Sequence, residues 1–210
     1  SVTVQDIQWL QNHDFVSSIL VENWVGGPSP KVIPMPIGIC SRTLSSLENY
    51  QRKEWKPTPF DQKKNRVSIT FSQSLHQRNP GQVTSSGFLP EREHAIEKLK
   101  SNSIVDILEP MSFVDYLKHY NEYKFTVSPL GNGVDCHRTW ESLLFGTIPI
   151  VKKGPLDYLY ACYDYPIVIV NDWNEIHPEN LEKWSKMFQS KINGFTSFTR
   201  KSILADVSHA

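Results

Sequence analysis

Residues 125–151, FTVSPLGNGVDCHRTWESLLFGTIPIV, decide the fold. The stretch opens and closes on apolar, β-branched runs, FTV and TIPIV, of the kind that suit a buried pleated surface. Between them a Gly-Asn-Gly turn leads into Asp135, Cys136, His137, Arg138 and Glu141. At helical spacing Cys136, Trp140, Leu143 and Leu144 share one face, and His137, Arg138 and Glu141 fall within an adjoining arc of about 100°. The reading is strand, glycine turn, amphipathic helix, strand, with Gly146 closing the helix.

The same alternation continues outward in both directions. Strands are expected over 66–72, 104–108, 124–129, 147–152 and 166–170. Helices are expected over 90–102, with Pro90 at its start, over 112–122, with Ser112 as N-cap, over 136–145, and from 178 to about 191. Nearer the start, residues 4–12 form a short helix pattern and 15–25 an apolar segment. In KVIPMPIGI, Pro34 and Pro36 rule out a central strand and leave an extended edge or loop. Together these predict an α/β chain: a Rossmann-like parallel sheet with helices on both faces, and a small or truncated N-terminal part. The divisions are an N-terminal segment at 1–55, a polar, proline-broken linker at 56–66, a ligand-binding domain at 67–192 and a C-terminal tail at 193–210.

Composition narrows the function classes. The 210 residues are 39% hydrophobic and 21% charged, enough for a real core and unlike a disordered chain. Lys+Arg and Asp+Glu balance at 22 each, so no global field attracts nucleic acid or an anionic membrane. Any phosphate binding must then be local. No apolar run is long enough to span a bilayer. Three widely spaced cysteines, Cys40, Cys136 and Cys162, argue against a disulfide framework and against a zinc site. No Asn-x-Ser/Thr acceptor occurs, which leans towards a cytoplasmic location.

In a parallel sheet, ligands sit at the carboxyl ends of strands, where loops run into helix N-termini. Gly131, Asn132 and Gly133 form such a loop; the glycines permit positive φ and close approach of a ligand to the backbone. Free N–H groups at the helix start, with Arg138 beside them, suit a phosphate, and Glu141 suits sugar hydroxyls. Asp135 reads equally as the N-cap or as a catalytic carboxylate, and His137 as a ligand contact or as helix surface. The plain alternative is a solvated face paired through His137–Glu141 and Arg138–Glu141. His76 and Arg78 lie in the long loop 73–89 that opens towards the same edge: His76 is a candidate base and Arg78 a planar fork for phosphate. Arg92 is either a further phosphate contact or an exposed helix residue. Asp172 reads as a cap, Trp173 as packing, and the tyrosine-rich LDYLYACYDY as core-facing helix.

The run YKFTVSPLGNGVDCHRTWESLLFGTIPIV, followed by YPIVIVNDWNEI, resembles the exostosin-like glycosyltransferases and their algal-virus and microbial relatives. More broadly, it is similar to the donor-binding half of the GT-B architecture. The resemblance covers residues 112–176 best and 66–100 less well, and KVIPMPIGI is similar to the segment before the donor domain. It implies transfer of a sugar from a nucleotide-sugar donor, UDP- or GDP-linked, to a glycan or glycoprotein acceptor, with inversion and without a bound metal or other cofactor. It also implies that Glu141 grips the ribose, and that Arg78, Gly131, Asn132, Gly133, His137 and Arg138 line the donor site. Two departures stand out. Gly133 occupies the position eight before Glu141 where many retaining relatives carry an acid, and 210 residues are few for two Rossmann-like domains, which points to a further domain elsewhere. The competing expectations are a silent nucleotide-sugar or glycan-binding module and a metal-dependent phosphate-ester enzyme; the scarcity of clustered carboxylates opposes the latter.

Overall fold

The elements in chain order are α1 (Val4–Gln11), β1 (Ile19–Glu22), β2 (Val32–Met35), α2 (Ser41–Asn49), β3 (Lys64–Ile69), α3 (Leu89–Leu99), β4 (Val105–Ile107) and α4 (Phe113–His119). There follow β5 (Tyr123–Val127), α5 (His137–Leu144), β6 (Ile148–Lys152), α6 (Asp157–Cys162), β7 (Val168–Val170) and α7 (Pro178–Ala205). This computed structural model describes residues 4–49, 57–71, 89–131 and 133–205.

Five strands form one sheet in the order β4-β3-β5-β6-β7, every neighbouring pair parallel. Consecutive residues are buried in its middle strands, Phe125, Thr126 and Val127 in β5 and Ile148 to Val151 in β6. Successive side chains point to opposite faces, so both faces of the sheet are covered. The chain is thus an α/β protein with a Rossmann-like parallel sheet, as the strand–helix alternation predicts. Phe125 meets Phe60 and Trp184 edge-on, at centroid separations of 6.2 and 6.3 Å, which packs α7 over the sheet.

From β3 the chain moves outward to β4, then returns to the other side of β3 to lay down β5, β6 and β7. The order therefore reverses between β3 and β5. At such a reversal the general rule places a ligand crevice outside the carboxyl ends of the two strands.

Several local readings hold. Ser112 caps α4 through Asp115 N, and Asp172 and Glu175 form a capping box around Trp173, which is fully buried. Leu159 and Tyr160 of α6 are in the core. Pro34 lies in β2, at the edge of a separate two-stranded parallel sheet with β1, where its missing N–H costs no ladder bond.

Other boundaries moved. β3 begins at Lys64, inside the stretch expected as linker, because Lys63 before it is already buried. Its ammonium donates to Tyr120 O at 2.7 Å, Phe145 O at 2.6 Å and Thr147 Oγ1 at 3.0 Å, tying the ends of α4 and α5 to the start of β6. α7 runs on to Ala205, through the stretch expected as a tail. α2 is an addition; its serine-rich SRTLSSLEN offers only Leu44 and Leu47 as apolar periodicity.

Candidate functional site

The residues of α5 build the site from the helix start. Cys136 is the N-cap by backbone conformation, and its side chain caps nothing. Asp135, one residue earlier, is buried. Its carboxylate accepts from Cys136 N at 2.8 Å, from Trp140 Nε1 at 2.8 Å and from Ile37 N at 3.0 Å, while its own amide donates to Asn23 Oδ1 at 3.1 Å. Burial holds the carboxyl above its ordinary range, against the three hydrogen bonds that favour its charge. In this structure Asp135 ties the glycine turn to residues 23–37.

The polar stripe of α5 divides in two. His137 is exposed, and its Nδ1 lies 2.7 Å from the carbonyl oxygen of Gly38. A carbonyl can only accept, so Nδ1 carries the proton. Glu141 is 3% exposed. Its Oε1 accepts from Thr43 Oγ1 at 2.5 Å and from Cys40 Sγ at 3.5 Å, and its Oε2 from the Tyr116 hydroxyl at 2.8 Å. The solvated His137–Glu141 pair is thereby overturned, because residues 38–43 cover that side of the helix and take both partners. Glu141 lies at the junction of α2, α4 and α5 with both oxygens engaged.

Arg138 points elsewhere. Its guanidinium carbon lies 5.2 Å from the centroid of Phe71, two residues past the end of β3. Arg92, in the first turn of α3, lies over the same ring at 5.8 Å and donates from Nε to Leu130 O at 3.1 Å. Two cations thus converge on one ring at the carboxyl end of β3, at the point where strand order reverses. Arg92, which the sequence left open, belongs to this cluster. Arg138 Nε is buried without a hydrogen-bond partner among the described residues, and so is Thr70 Oγ1 beside Phe71. Arg138 Nη1 donates to Cys136 Sγ at 3.8 Å. A buried N–H of a permanent cation without a partner is costly; any acceptor satisfies it, and a charged one does so most strongly.

The glycine turn runs along this crevice. Gly131 does not have positive φ; among the described residues it is found at Gly27, Gly38 and Gly146. At Gly131 the expected conformational reason is therefore corrected to a steric one. A Cβ there would stand 3.2 Å from Cys136 Cβ and 3.4 Å from Arg92 Nη2, whereas at Gly133 its nearest neighbours would be 3.8 Å away. His76, Arg78 and Asn132 lie outside the described residues.

Beside the crevice, between the carboxyl ends of β5 and β6, opens a cleft of about 80 Å³. Glu91, Ser128, Leu130, Cys136, Thr139, Lys152, Lys153 and Asp157 are among the residues that line it. Ser128 Oγ and Thr139 Oγ1 are hydrogen-bonded at 2.8 Å. Among the described residues no cluster of His, Cys, Asp and Glu has the makings of a metal site, and no helix is long and apolar enough to cross a membrane.

No family model matches the chain, and no curated protein matches it. Among solved structures, a mutant O-GlcNAc transferase of Thermobaculum terrenum is similar with a TM-score of 0.41 and 11% identity, over 92% of this chain and 44% of that one. The chain thus spans less than half the length of that neighbour. Its assignment to the parallel α/β class rests on the sheet itself.

Proposed function

We propose that the chain is a nucleotide-sugar-dependent glycosyltransferase, or the donor-binding part of one, of the GT-B type. The observation that carries this reading is the convergence of Arg92 and Arg138 on Phe71 at the strand-order reversal, with Arg138 Nε unsatisfied. The donor's diphosphate lies there, against the start of α5, and the absence of a side chain at Gly131 lets Arg92 and Cys136 pack close to the turn. The exostosin-like sequence resemblance supplies the sugar-transfer half of the proposal.

In the reaction, the acceptor hydroxyl oxygen bonds to the anomeric carbon as the bond from that carbon to the β-phosphate oxygen breaks. Single displacement inverts the anomeric centre. The electron pair leaves with the nucleoside diphosphate, where Arg92, Arg138 and the helix N-terminus stabilise the growing charge. The hydroxyl proton passes to a base, for which His76 is the candidate; Asp135 already serves three donors. Two fixed guanidinium groups let the step run without a divalent cation.

That engagement of Asp135 favours one second reading, a module that binds the nucleotide sugar without turning it over. One experiment separates them. Melting temperatures are measured with UDP, GDP and dTDP and their sugar conjugates, then sugar release is followed with and without EDTA. A bound ligand raises the melting temperature by mass action. No shift with any nucleotide overturns the donor site, and a shift without release supports the binding module.

A further inference from the structure

We propose that the cleft between the carboxyl ends of β5 and β6 receives the sugar of the donor, and that Glu91 and Lys152 read its hydroxyl groups. This rests on the donor-site reading above. A nucleotide sugar carries its diphosphate in the middle, so one end must lie on each side of the arginines. The cleft is lined by Leu130 and Cys136, which flank the glycine turn, and by Glu91, the neighbour of Arg92.

Its size suits the smaller end. By the measure that gives one water about 10–15 Å³, it takes on the order of six waters, the space of one pyranose ring rather than a nucleoside. Its wall supplies the chemistry. Glu91 Oε1 is buried and makes no hydrogen bond among the described residues, and Lys152 Nζ stands 3.8 Å from it. That gap is too long for a hydrogen bond between the two. A hydroxyl placed at its edge donates to the carboxylate and accepts from the ammonium, satisfying both at once. Phosphate oxygens cannot donate, and Glu91 repels them, so the carboxylate marks the cleft for a polyol rather than for the diphosphate. The Ser128–Thr139 hydroxyl pair, also in the lining, uses one proton in its mutual hydrogen bond and keeps one neutral donor. Charges of both signs suit an uncharged sugar.

The test compares each nucleoside diphosphate with its sugar conjugate, using UDP and UDP-glucose, GDP and GDP-mannose, and dTDP and dTDP-glucose. Affinities are measured by calorimetry on the native chain, Glu91→Gln and Lys152→Gln. Both side chains are partly exposed, 22% and 31%, so the variants are expected to fold, and a melting curve checks it. Glu91→Gln should weaken the conjugate at least tenfold and leave the diphosphate within twofold, with Lys152→Gln acting in the same direction. Equal loss of diphosphate and conjugate places phosphate or nucleoside in the cleft and overturns the proposal. Unchanged affinity for both makes Glu91–Lys152 a structural ion pair and overturns it too. If the native chain binds none of the six, the donor site itself fails, an outcome distinct from the other two.

Discussion

Thr43 Oγ1 lies 2.5 Å from Glu141 Oε1, a hydrogen bond between residues 98 apart in the chain. It joins the start of α2 to the middle of α5, and Tyr116 of α4 holds the other carboxylate oxygen. A residue read from the sequence as a ligand contact is, in this fold, a structural junction.

Replacing Glu141 by alanine should cost stability as well as nucleotide affinity. The Thr43 and Tyr116 hydroxyls would lose their acceptor in a buried setting, at about 3 kcal/mol in all. Urea denaturation measures this. A variant as stable as the native chain would show that the junction carries no load.

Arg138→Met and Arg92→Met should each weaken nucleoside diphosphate binding by about 10- to 100-fold, the range for a charge-assisted hydrogen bond. Binding by the native chain should weaken at high salt, and less steeply in the variants. Calorimetry at two ionic strengths reads both. A Phe71→Leu variant should weaken binding by less, since it removes the ring that gathers the two cations but neither charge.

Two glycines should respond differently to alanine. Gly146 has φ 70°, and a Cβ there would come within 3.1 Å of Thr196 Oγ1, so Gly146→Ala should destabilise. The cost is about 1–2 kcal/mol for the left-handed backbone alone. Gly131→Ala carries no left-handed penalty, but its Cβ would stand 3.2 Å from Cys136 Cβ, so it should cost less stability than Gly146→Ala while reducing nucleotide affinity by pressing on Arg92. Melting curves with and without UDP separate the two effects.

Stability should fall on acidification through His119. Burial pulls its pKa down to about 4 from 6.5. Between those values the unfolded chain binds a proton that the folded chain refuses, so stability drops as pH falls from 6.5 towards 4. The loss is about 3 kcal/mol. His119→Phe should flatten that segment of the pH profile.

Lys63 acts in another window. Burial lowers its pKa to about 7 from 10.5, so the unfolded chain again binds more protons, now between pH 7 and 10.5. Its contribution to stability should therefore rise with pH across that range, by at most about 5 kcal/mol. Its three oxygen partners favour the ammonium and offset part of this. Lys63→Met should abolish the rise, as followed by urea titration at pH 7, 8 and 9.

The alternation of short β-branched runs with amphipathic stretches was enough, without coordinates, to establish a parallel sheet, because burial on both faces imposes its own local pattern. It also singled out Gly131, Arg138 and Glu141, since a glycine turn running into a polar helix start is a feature of adjacent residues. Strand order decided the rest: only the reversal between β3 and β5 brings Phe71, Arg92 and Arg138 together. Likewise, Thr43, Cys40 and Gly38 reach α5 from about a hundred positions away, and no periodicity within either segment encodes that meeting. Side-chain spacing reports what a helix or strand buries, whereas which distant group it buries against is settled only when the elements pack.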